Sequence, residues 1–244
     1  MTKSELKDWI KWIHLTSIPL RRFAPDESLK GVASGCLLNY RGRRFILTVA
    51  HVVRSNPSGW ALEIGFDEGK GLEIYRPSCF LYLDEVRRGT AELIEANYCF
   101  AEVPLDVNPT FQHLPPRGPL SEKQLRYIFD ISEFAEPDTN ELYGFSGEVH
   151  PEIHGSHAVH IEPNVYPGLR YTKSEGHFHE FILPVRHPGH GSFEGCSGAP
   201  IVDTRHRLIA LVSRGDIKTN VIYGVSITRY RFGLDLYCSK IRPA

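Results

Sequence analysis

The sequence predicts an all-β fold, and three observations favour it. From residue 31 onward, short runs rich in β-branched and aromatic residues are separated by turn residues. The chain contains 21 glycines and 17 prolines, which suit many tight connections. The strand-like runs do not alternate regularly with helical segments, as they would around a parallel sheet. This pattern indicates β-barrels or a β-sandwich.

The first predicted element is a helix over residues 3–14. Thr2 and Glu5 fit a capping box, in which each side chain binds a free backbone N–H at the start of the helix. Apolar residues behind this cap recur at helical spacing: Leu6, Trp9, Ile10 and Ile13. We expect this stripe to pack on the chain's own domain. Two tryptophans on so short a helix also leave room for a regulatory protein partner.

Two series of candidate strands follow the helix. The first series covers residues 32–40, 44–50, 60–66, 79–83 and 98–103, with a hairpin turn at 39–42. The second series covers residues 141–143, 157–161, 178–184, 199–203, 207–212 and 220–227. The prolines between residues 104 and 119 predict a linker between the two series. A short helix is predicted over residues 121–128, and residues 230–241 fit either a terminal helix or a strand.

Composition and charge exclude several classes of function. The net charge is -1 and no block of like charges occurs, so nothing in the sequence predicts binding to nucleic acid or to an anionic membrane. The sequence contains no run of about eighteen apolar residues, which is the length that a helix needs to span a bilayer. Lys7, Asp8 and Lys11 interrupt the segment where an export signal needs an apolar core, so we expect a cytoplasmic location. The cysteines are then expected to be reduced thiols: Cys36, Cys79, Cys99, Cys196 and Cys238.

The strongest chemical motif is the segment Glu-Gly-Cys-Ser-Gly-Ala-Pro at residues 194–200. A serine flanked by glycines lies on a tight turn that exposes its hydroxyl, because glycine adopts backbone conformations barred to other residues. On such a turn the N–H groups of Gly195 and Ser197 can point into one small volume. Donors at a developing oxyanion contribute about 3–4 kcal/mol each. The alternative is an ordinary glycine-rich hairpin turn.

A second motif precedes it in the chain. The apolar segment from Phe45 ends on Thr48-x-Ala50-His51, with the imidazole at the exit of a predicted strand. An isolated histidine is usually structural. A histidine that closes a buried strand upstream of a Gly-x-Ser-Gly turn instead predicts a general base paired with a nucleophilic serine.

Together, Thr48-x-Ala50-His51 and Gly195-x-Ser197-Gly-x-Pro200 resemble the two signature motifs of the trypsin/chymotrypsin-fold serine peptidases, in that family's order. Residues 31–48 are similar to the first hairpin of bacterial members, and residues 208–215 to the strand that pairs with substrate backbone. The resemblance implies two six-stranded antiparallel β-barrels with a short N-terminal α-helix. Its expected organisation is a helical extension over 1–28, an N-terminal barrel over 29–110 and a C-terminal barrel over 111–244.

The resemblance also implies a serine endopeptidase acting on a protein or peptide, with Ser197 as nucleophile, His51 as general base, and Gly195 with Ser197 as oxyanion donors. The family's buried aspartate is replaced here, since the matching segment begins Ala-Asn97-Tyr. In the serine-protease template an Asp-to-Asn change lowers turnover about 10⁴-fold. Three outcomes stay open: the Asn97 oxygen orients His51, or Asp84 or Glu95 reaches it, or the protein is a weak or silent enzyme that binds peptides.

Further residues follow from the same resemblance. The residue before the serine is Cys196 where extracellular members have an aspartate, so activation by N-terminal cleavage is not expected, and Cys196 is expected to be a packed thiol. The implied substrate-binding residues are Gly191, Ser192, Ser213, Gly215 and Gly224. No carboxylate occurs among them, which favours a medium or large apolar side chain over lysine or arginine. An acidic preference supplied by Arg214 or His190 is the second interpretation.

Histidines are dense between residues 150 and 190, and this is the rival signal. The spacings His154-x-x-His157 and His177-x-His179 would suit a zinc site. No cysteine pair and no His-Glu-x-x-His motif accompanies them, so solvated strand histidines are the favoured interpretation. The glycines match no phosphate-binding or dinucleotide-binding motif. No cofactor is therefore expected.

Overall fold

Strands account for most of the regular structure. The computed structural model describes residues 1–67, 71–86, 89–90, 92–112, 122–154, 158–189 and 191–240, without the side chains of 149–154, 158–162 and 192. The helices are α1 (Lys3–Thr16), α2 (Ala50–Val53) and α3 (Ile227–Lys240). The strands before residue 131 are β1 (Ile18–Phe23), β2 (Leu29–Tyr40), β3 (Arg43–Thr48), β4 (Trp60–Asp67), β5 (Gly71–Tyr75), β6 (Leu81–Val86), β7 (Leu93–Val103), β8 (Thr110–Phe111), β9 (Gln124–Leu125) and β10 (Ile128–Asp130). The later strands are β11 (Tyr143–His154), β12 (Ala158–Glu175), β13 (Phe178–Ile182), β14 (Pro200–Asp203), β15 (Leu208–Asp216) and β16 (Val221–Ser226).

The first lobe is a sheet with the strand order β5-β4-β1-β2-β3-β7-β6, and β10 adds to β2 in parallel. Its central hairpin is set by a two-residue turn, because Tyr40 pairs with Arg43. The turn residues Arg41 and Gly42 both have positive φ, at 49° and 73°. Two such residues match the right-handed twist of the flanking strands. The hairpin turn predicted within residues 39–42 therefore lies where the sequence placed it.

The second lobe is a closed barrel with the order β11-β12-β13-β16-β15-β14. Its largest component is the β11–β12 hairpin, whose register shifts twice along its length. The predicted all-β fold with two lobes is confirmed. The first lobe contains strands that the sequence pattern did not reveal, among them β1, β5 and β10.

The helices differ from expectation at one place. Residues 121–128 were expected to be helical, but Gln124–Leu125 and Ile128–Asp130 are strands. The reason is tertiary, since β10 pairs with Leu37–Asn39 of β2, and such pairing overrides a weak local helix propensity. The open choice for the last segment resolves to helix α3. Within the described residues, α1, α2 and α3 are all too short or too polar to cross a membrane.

Helix α1 buries its apolar stripe against the rest of the chain. The predicted capping box is present, with both Thr2–Glu5 hydrogen bonds formed. Trp9 is 3% exposed and its indole N–H donates to the Asp203 carbonyl at 2.9 Å. Ile13 is fully buried and fills the space beside Gly144, where a Cβ would meet its Cδ1 at 2.8 Å. The stripe thus packs on its own domain, and a protein partner for this helix stays a prediction.

Replacing Trp9 with phenylalanine is expected to lower the free energy of unfolding by about 1–2 kcal/mol, because the Asp203 carbonyl loses one of its two donors. For a chain of this size the midpoint of thermal unfolding should fall by about 2–8 °C. Trp12→Phe is the matched control, since the Trp12 ring stacks on His206 and its indole N–H has no hydrogen bond among the described residues. Equal losses in the two variants would show that the Trp9 hydrogen bond contributes nothing.

Candidate active site

His51 lies where strand β3 meets helix α2. The strand is buried from Arg44 to Thr48, and the chain turns into α2 at Ala50. This leaves the His51 side chain exposed. Thr48 anchors the exit of the strand, because its buried hydroxyl donates to the Ser34 carbonyl at 2.8 Å. The Thr-x-Ala-His motif therefore fixes the point at which the imidazole leaves the sheet.

Asn97 reaches His51 from strand β7. Its backbone has φ of 53°, a left-handed conformation that asparagine tolerates better than most residues. Leu83 of β6 pairs with Tyr98, whereas the next residue, Asp84, pairs with Glu95, so Asn97 lies in the irregularity between these two pairs. The Asn97 Oδ1 lies 3.0 Å from the backbone nitrogen of His51 and 3.0 Å from its Nδ1. The Asn97 Nδ2 donates to the Ser213 hydroxyl at 2.8 Å.

These contacts determine both the orientation of the amide and the tautomer of the imidazole. The backbone N–H of His51 is always a donor, so the atom facing it must be the oxygen of Asn97. The same oxygen faces His51 Nδ1 and can only accept, so Nδ1 carries the proton. In the neutral imidazole, Nε2 is then the nitrogen that carries no proton. It lies 3.3 Å from the Ser197 hydroxyl, in position to accept its proton.

Ser197 lies on a turn with glycines at unusual conformations. Gly195 has φ of 90° and Gly198 has φ of 86°, and a Cβ at Gly198 would collide with the Ser34 carbonyl oxygen and the Thr48 hydroxyl. Ser34 holds the turn from the first lobe. Its hydroxyl donates to the Gly195 carbonyl at 2.8 Å, and its backbone N–H donates to the Ser197 carbonyl at 2.9 Å. The glycines are thus required by packing between the lobes as well as by the turn.

The two amides expected to bind an oxyanion are available. Among the described residues, no acceptor takes the backbone N–H of Gly195 or of Ser197. The neighbouring amides are used within the turn, since Cys196 donates to the Phe193 carbonyl at 3.0 Å and Ala199 donates to the Cys196 carbonyl at 2.9 Å. The turn therefore keeps two donors unused beside the serine.

Cys196 is fully buried and takes no part in the exposed site. Its side chain lies against Gly147 of β11, where a Cβ would collide with the sulfur. Burial raises the pKa of the Cys196 thiol well above its ordinary value, so the thiolate does not form near neutral pH. Its position fits the expected packed thiol.

The carboxylates considered as partners of His51 are engaged elsewhere. Arg54, at the end of α2, lies 3.1 Å from Asp84 and 3.5 Å from Glu95. Its guanidinium also stacks on the Tyr82 ring at 5.1 Å. The structure therefore brings Asn97, rather than Asp84 or Glu95, to His51.

A cavity of about 380 Å³ opens beside Ser197. Its lining residues are Gly191, Phe193, Glu194, Ser197, Val212, Ser213, Arg214, Gly215 and Ile222. Of the residues expected here, Gly191, Ser213 and Gly215 line the cavity. The side chain of Ser192 and all of His190 lie outside the described residues.

Gly224 does not reach this cavity. A Cβ at Gly224 would meet Ala210 and Ile201, each at 2.7 Å, in the interior of the barrel. The register explains the difference, because Gly224 pairs with Val212 while Ile222 pairs with Gly215 at the cavity. Sequence reasoning missed Ile222, and it missed Glu194, an exposed carboxylate on the lining.

Strand β15 presents an open edge next to the cavity. Its pairing with β14 ends at Leu211, and Val212 still bonds Gly198 and Ala199. From Ser213 onward, β15 is paired with β16 along one edge, and none of the described residues pairs with its other edge. An open strand edge is a ready template for an extended peptide, which would add as a further strand.

A buried group of charges lies behind the serine turn. Arg21 is 4% exposed, and its Nη2 lies 2.5 Å from Glu63 of the same lobe. Its Nη1 lies 2.5 Å from Glu148 of the second lobe, poorly aligned for a hydrogen bond, so this contact is an ion pair. The Glu148 backbone oxygen packs against Gly195 so closely that a Cβ there would collide with it. The pair therefore joins the two lobes directly under the turn.

The described histidines of residues 150–190 do not assemble a metal site. No group of three histidine, cysteine or carboxylate side chains suited to a metal occurs in the part of the chain that the structure describes. His179 is buried and its Nδ1 lies 2.7 Å from the Ser174 hydroxyl, while burial lowers its pKa. The His177 ring lies 4.1 Å from the Phe178 ring at an interplanar angle of 46°. The side chains of His150, His154, His157 and His160 lie outside the described residues.

No family model matches the sequence. No curated protein matches it either. Among solved structures, the chain is similar to human heparin binding protein, with a TM-score of 0.59 and 11% identity over 96% of this chain and 95% of that chain. It is similar to the serine endoprotease from Yersinia pestis, with a TM-score of 0.58 and 11% identity over 97% of this chain and 67% of that chain. It is also similar to a mutant of tobacco etch virus protease, with a TM-score of 0.52 and 16% identity over 95% of this chain and 82% of that chain.

At these identities the likeness is one of fold, and the three names include both proteases and a heparin-binding protein. Any reaction must therefore be argued from the residues of the site. The two lobes, their strand order and the structural neighbours together establish the architecture. The chain has the trypsin/chymotrypsin fold that its two motifs predicted.

Proposed function

We propose that this chain is a serine endopeptidase that cleaves peptide bonds through an acyl-enzyme. The observation that carries the proposal is the hydrogen-bonded series from Asn97 through His51 to Ser197. In it, Asn97 Oδ1 accepts from His51 Nδ1–H, and Nε2, which carries no proton in the neutral imidazole, lies 3.3 Å from the Ser197 hydroxyl. This arrangement of an oriented base and a hydroxyl is the requirement for nucleophilic catalysis by serine.

In the proposed reaction, the Ser197 Oγ attacks the carbonyl carbon of the scissile bond while its proton moves to His51 Nε2. The carbonyl oxygen becomes an oxyanion and takes hydrogen bonds from the N–H groups of Gly195 and Ser197. The imidazolium gives the proton to the leaving amine nitrogen as the C–N bond breaks. His51 Nε2 then takes a proton from a water molecule whose oxygen attacks the carbonyl carbon of the acyl-serine ester. As the bond between that carbon and Ser197 Oγ breaks, Nε2 returns the proton to Oγ, and the acyl part leaves as a carboxylic acid.

Asn97 is a positioning residue in this reaction, since it contacts His51 and no reacting atom. It supplies the useful tautomer but no negative charge to the imidazolium. The substrate backbone would extend along the open edge of β15, and the side chain before the scissile bond would enter the cavity. Phe193, Val212 and Ile222 give that cavity apolar walls, which suits a medium or large apolar side chain.

The second candidate function is a catalytically silent module that binds peptides on the same edge and cavity. The observation that favours it is the neutral amide of Asn97 at His51 Nδ1, where a carboxylate would stabilise the imidazolium far more. The two candidates differ in one measurable property. Only an activated Ser197 reacts with an electrophile that acylates or phosphonylates serine.

Labelling with a fluorophosphonate tests the proposal. We expect the purified protein to gain one adduct, mapped to Ser197 by peptide mass. The adduct should be absent in Ser197→Ala, and its rate of formation should fall by at least about 10³-fold in His51→Ala. The exposed serine variant Ser58→Ala should label at the wild-type rate. A folded wild-type protein that takes no label would overturn the peptidase proposal in favour of the binding module.

A further inference from the structure

Arg214 is held in place at the mouth of the candidate substrate cavity. It lines the cavity between Ser213 and Gly215, and its side chain is exposed. Its guanidinium carbon lies 4.7 Å from the centre of the Tyr223 ring and 5.3 Å from that of Phe178. Tyr223 is its direct cross-strand partner on β16. A planar guanidinium resting on two rings is pre-organised for a ligand, because little side-chain freedom remains to be lost on binding.

No carboxylate in the part of the chain that the structure describes neutralises the charge of Arg214. Among the described residues, no ion pair joins its guanidinium to a carboxylate. The guanidinium lies on two aromatic rings, and its charge contributes to lowering the pKa of nearby His177. The carboxylate of Glu85 is already held by Arg229 at 2.7 and 2.9 Å and by the Tyr230 hydroxyl at 2.8 Å. Glu194 lines the same cavity but forms no ion pair with Arg214. An oriented, unpaired guanidinium at a binding edge is suited to a carboxylate.

Resting on the proposed function, we infer that Arg214 selects substrates with an acidic side chain on the acyl side of the scissile bond. The open edge of β15 begins at Ser213, so a peptide paired along it passes directly over Arg214. A glutamate or aspartate side chain there forms a charge-assisted, bidentate contact with the guanidinium. Arg214 is thus assigned as a specificity-determining residue of this site.

The test uses tetrapeptide diphenyl phosphonates, which modify an active serine at a measurable rate. The parent sequence is Ala-Ala-Ala-Phe, and each position is replaced in turn by Glu or by the uncharged isostere Gln. At one position we expect Glu to be preferred over Gln by roughly 5- to 30-fold in the rate of Ser197 modification. The preference should fall as the salt concentration rises, because the Arg214 side chain is exposed to screening ions.

The variants separate recognition by Arg214 from a general charge effect. In Arg214→Met the Glu-to-Gln ratio should fall to about one, and in Arg214→Lys it should be intermediate, since lysine keeps the charge but not the planar fork. Lys11→Gln removes one positive charge from the exposed face of helix α1 and should leave the ratio unchanged. Glu194→Gln removes a carboxylate from the cavity lining, so the Glu-to-Gln ratio should not fall in this variant. A wild-type ratio near one at all four positions, or a preference that persists in Arg214→Met, would overturn the inference.

Failure of the proposed function gives a different result. If neither a simple fluorophosphonate nor any peptide phosphonate modifies Ser197, the peptidase proposal fails. The inference about Arg214 is then decided by binding of fluorescent Glu and Gln peptides to Ser197→Ala, measured by fluorescence anisotropy. Tighter binding of the Glu peptide that is lost when Arg214→Met is added supports recognition of acidic peptides by a silent module. Equal binding of the Glu and Gln peptides would overturn the inference about Arg214.

Discussion

Asn97→Asp is expected to raise the catalytic efficiency of this protein by about 10²- to 10⁴-fold. A carboxylate at position 97 can accept the same two hydrogen bonds from His51 that the amide oxygen accepts now. The Ser213 hydroxyl, which now accepts from Asn97 Nδ2, can rotate and donate to the second carboxylate oxygen. The substitution therefore adds a negative charge while the geometry is retained. Aspartate also tolerates the left-handed backbone of this position.

The size of the effect follows from Coulomb's law. Two unit charges about 3 Å apart interact by about 5 kcal/mol at an effective dielectric constant of about 20, and about 5 kcal/mol in an activation barrier corresponds to about 10⁴ in rate. His51 is exposed to solvent, and solvent weakens this interaction. The expected gain in rate therefore extends from about 10⁴-fold down to about 10²-fold. The gain appears only when His51 becomes an imidazolium, which occurs in the transition state for attack by Ser197.

The rate of Ser197 modification by a fluorophosphonate, or kcat/KM on a cleaved peptide, measures the gain. Asn164→Asp adds one negative charge at an exposed position on β12 and should leave the rate unchanged. Asn97→Ala removes the contact with both His51 and Ser213 and should lower the rate. No gain in a folded Asn97→Asp variant would mean that Asn97 does not orient a working base, and the peptide-binding interpretation would then be favoured.

The local parts of this site were predictable because their signals are local. A buried strand that ends on Thr48-x-Ala50-His51 fixes where the imidazole leaves the sheet, and glycines around Ser197 reveal a turn. The choice among Asn97, Asp84 and Glu95 was not predictable. The choice depends on Arg54, which belongs to no motif. Its guanidinium forms ion pairs with Asp84 on β6 and Glu95 on β7.

The cavity shows the same limit. Gly224 was expected on its wall because of its place in the chain, but the register of β15 with β16 brings Ile222 there instead. That register includes an irregularity between Val212 and Arg214, and a one-residue slip in a strand changes which side chains face a site. The strand β10 is a further case, because its parallel pairing with β2 joins segments about ninety residues apart. Short-range patterns carry no information on such contacts.

Arg21→Met is expected to lower the free energy of unfolding by about 3–5 kcal/mol, because it removes the one guanidinium that forms ion pairs with both Glu63 and Glu148. Arg126 also acts electrostatically on these two partly buried carboxylates, but it forms no ion pair with them among the described contacts. Burial by itself lowers the pKa of Arg21, but Glu148 and Glu63 raise it above its ordinary value. The wild-type protein therefore keeps this guanidinium charged at every accessible pH. Arg76→Met is the matched control, since Arg76 forms an exposed pair with Glu27 and should cost at most about 1 kcal/mol.

The loss in Arg21→Met should shrink as the pH falls. Burial raises the pKa of Glu63 and Arg21 opposes this shift, so removing Arg21 raises the pKa of Glu63 further. A carboxylate whose pKa is raised on folding destabilises the fold above that pKa and ceases to do so below its unfolded value. Denaturant unfolding at about pH 8 and about pH 5 should therefore give a smaller difference between variant and wild type at the lower pH. Adding Glu63→Gln and Glu148→Gln to Arg21→Met should recover part of the lost stability at the higher pH. A deficit no larger than that of Arg76→Met, or one that grows on acidification, would mean that this buried group does not hold the two lobes together beneath Ser197.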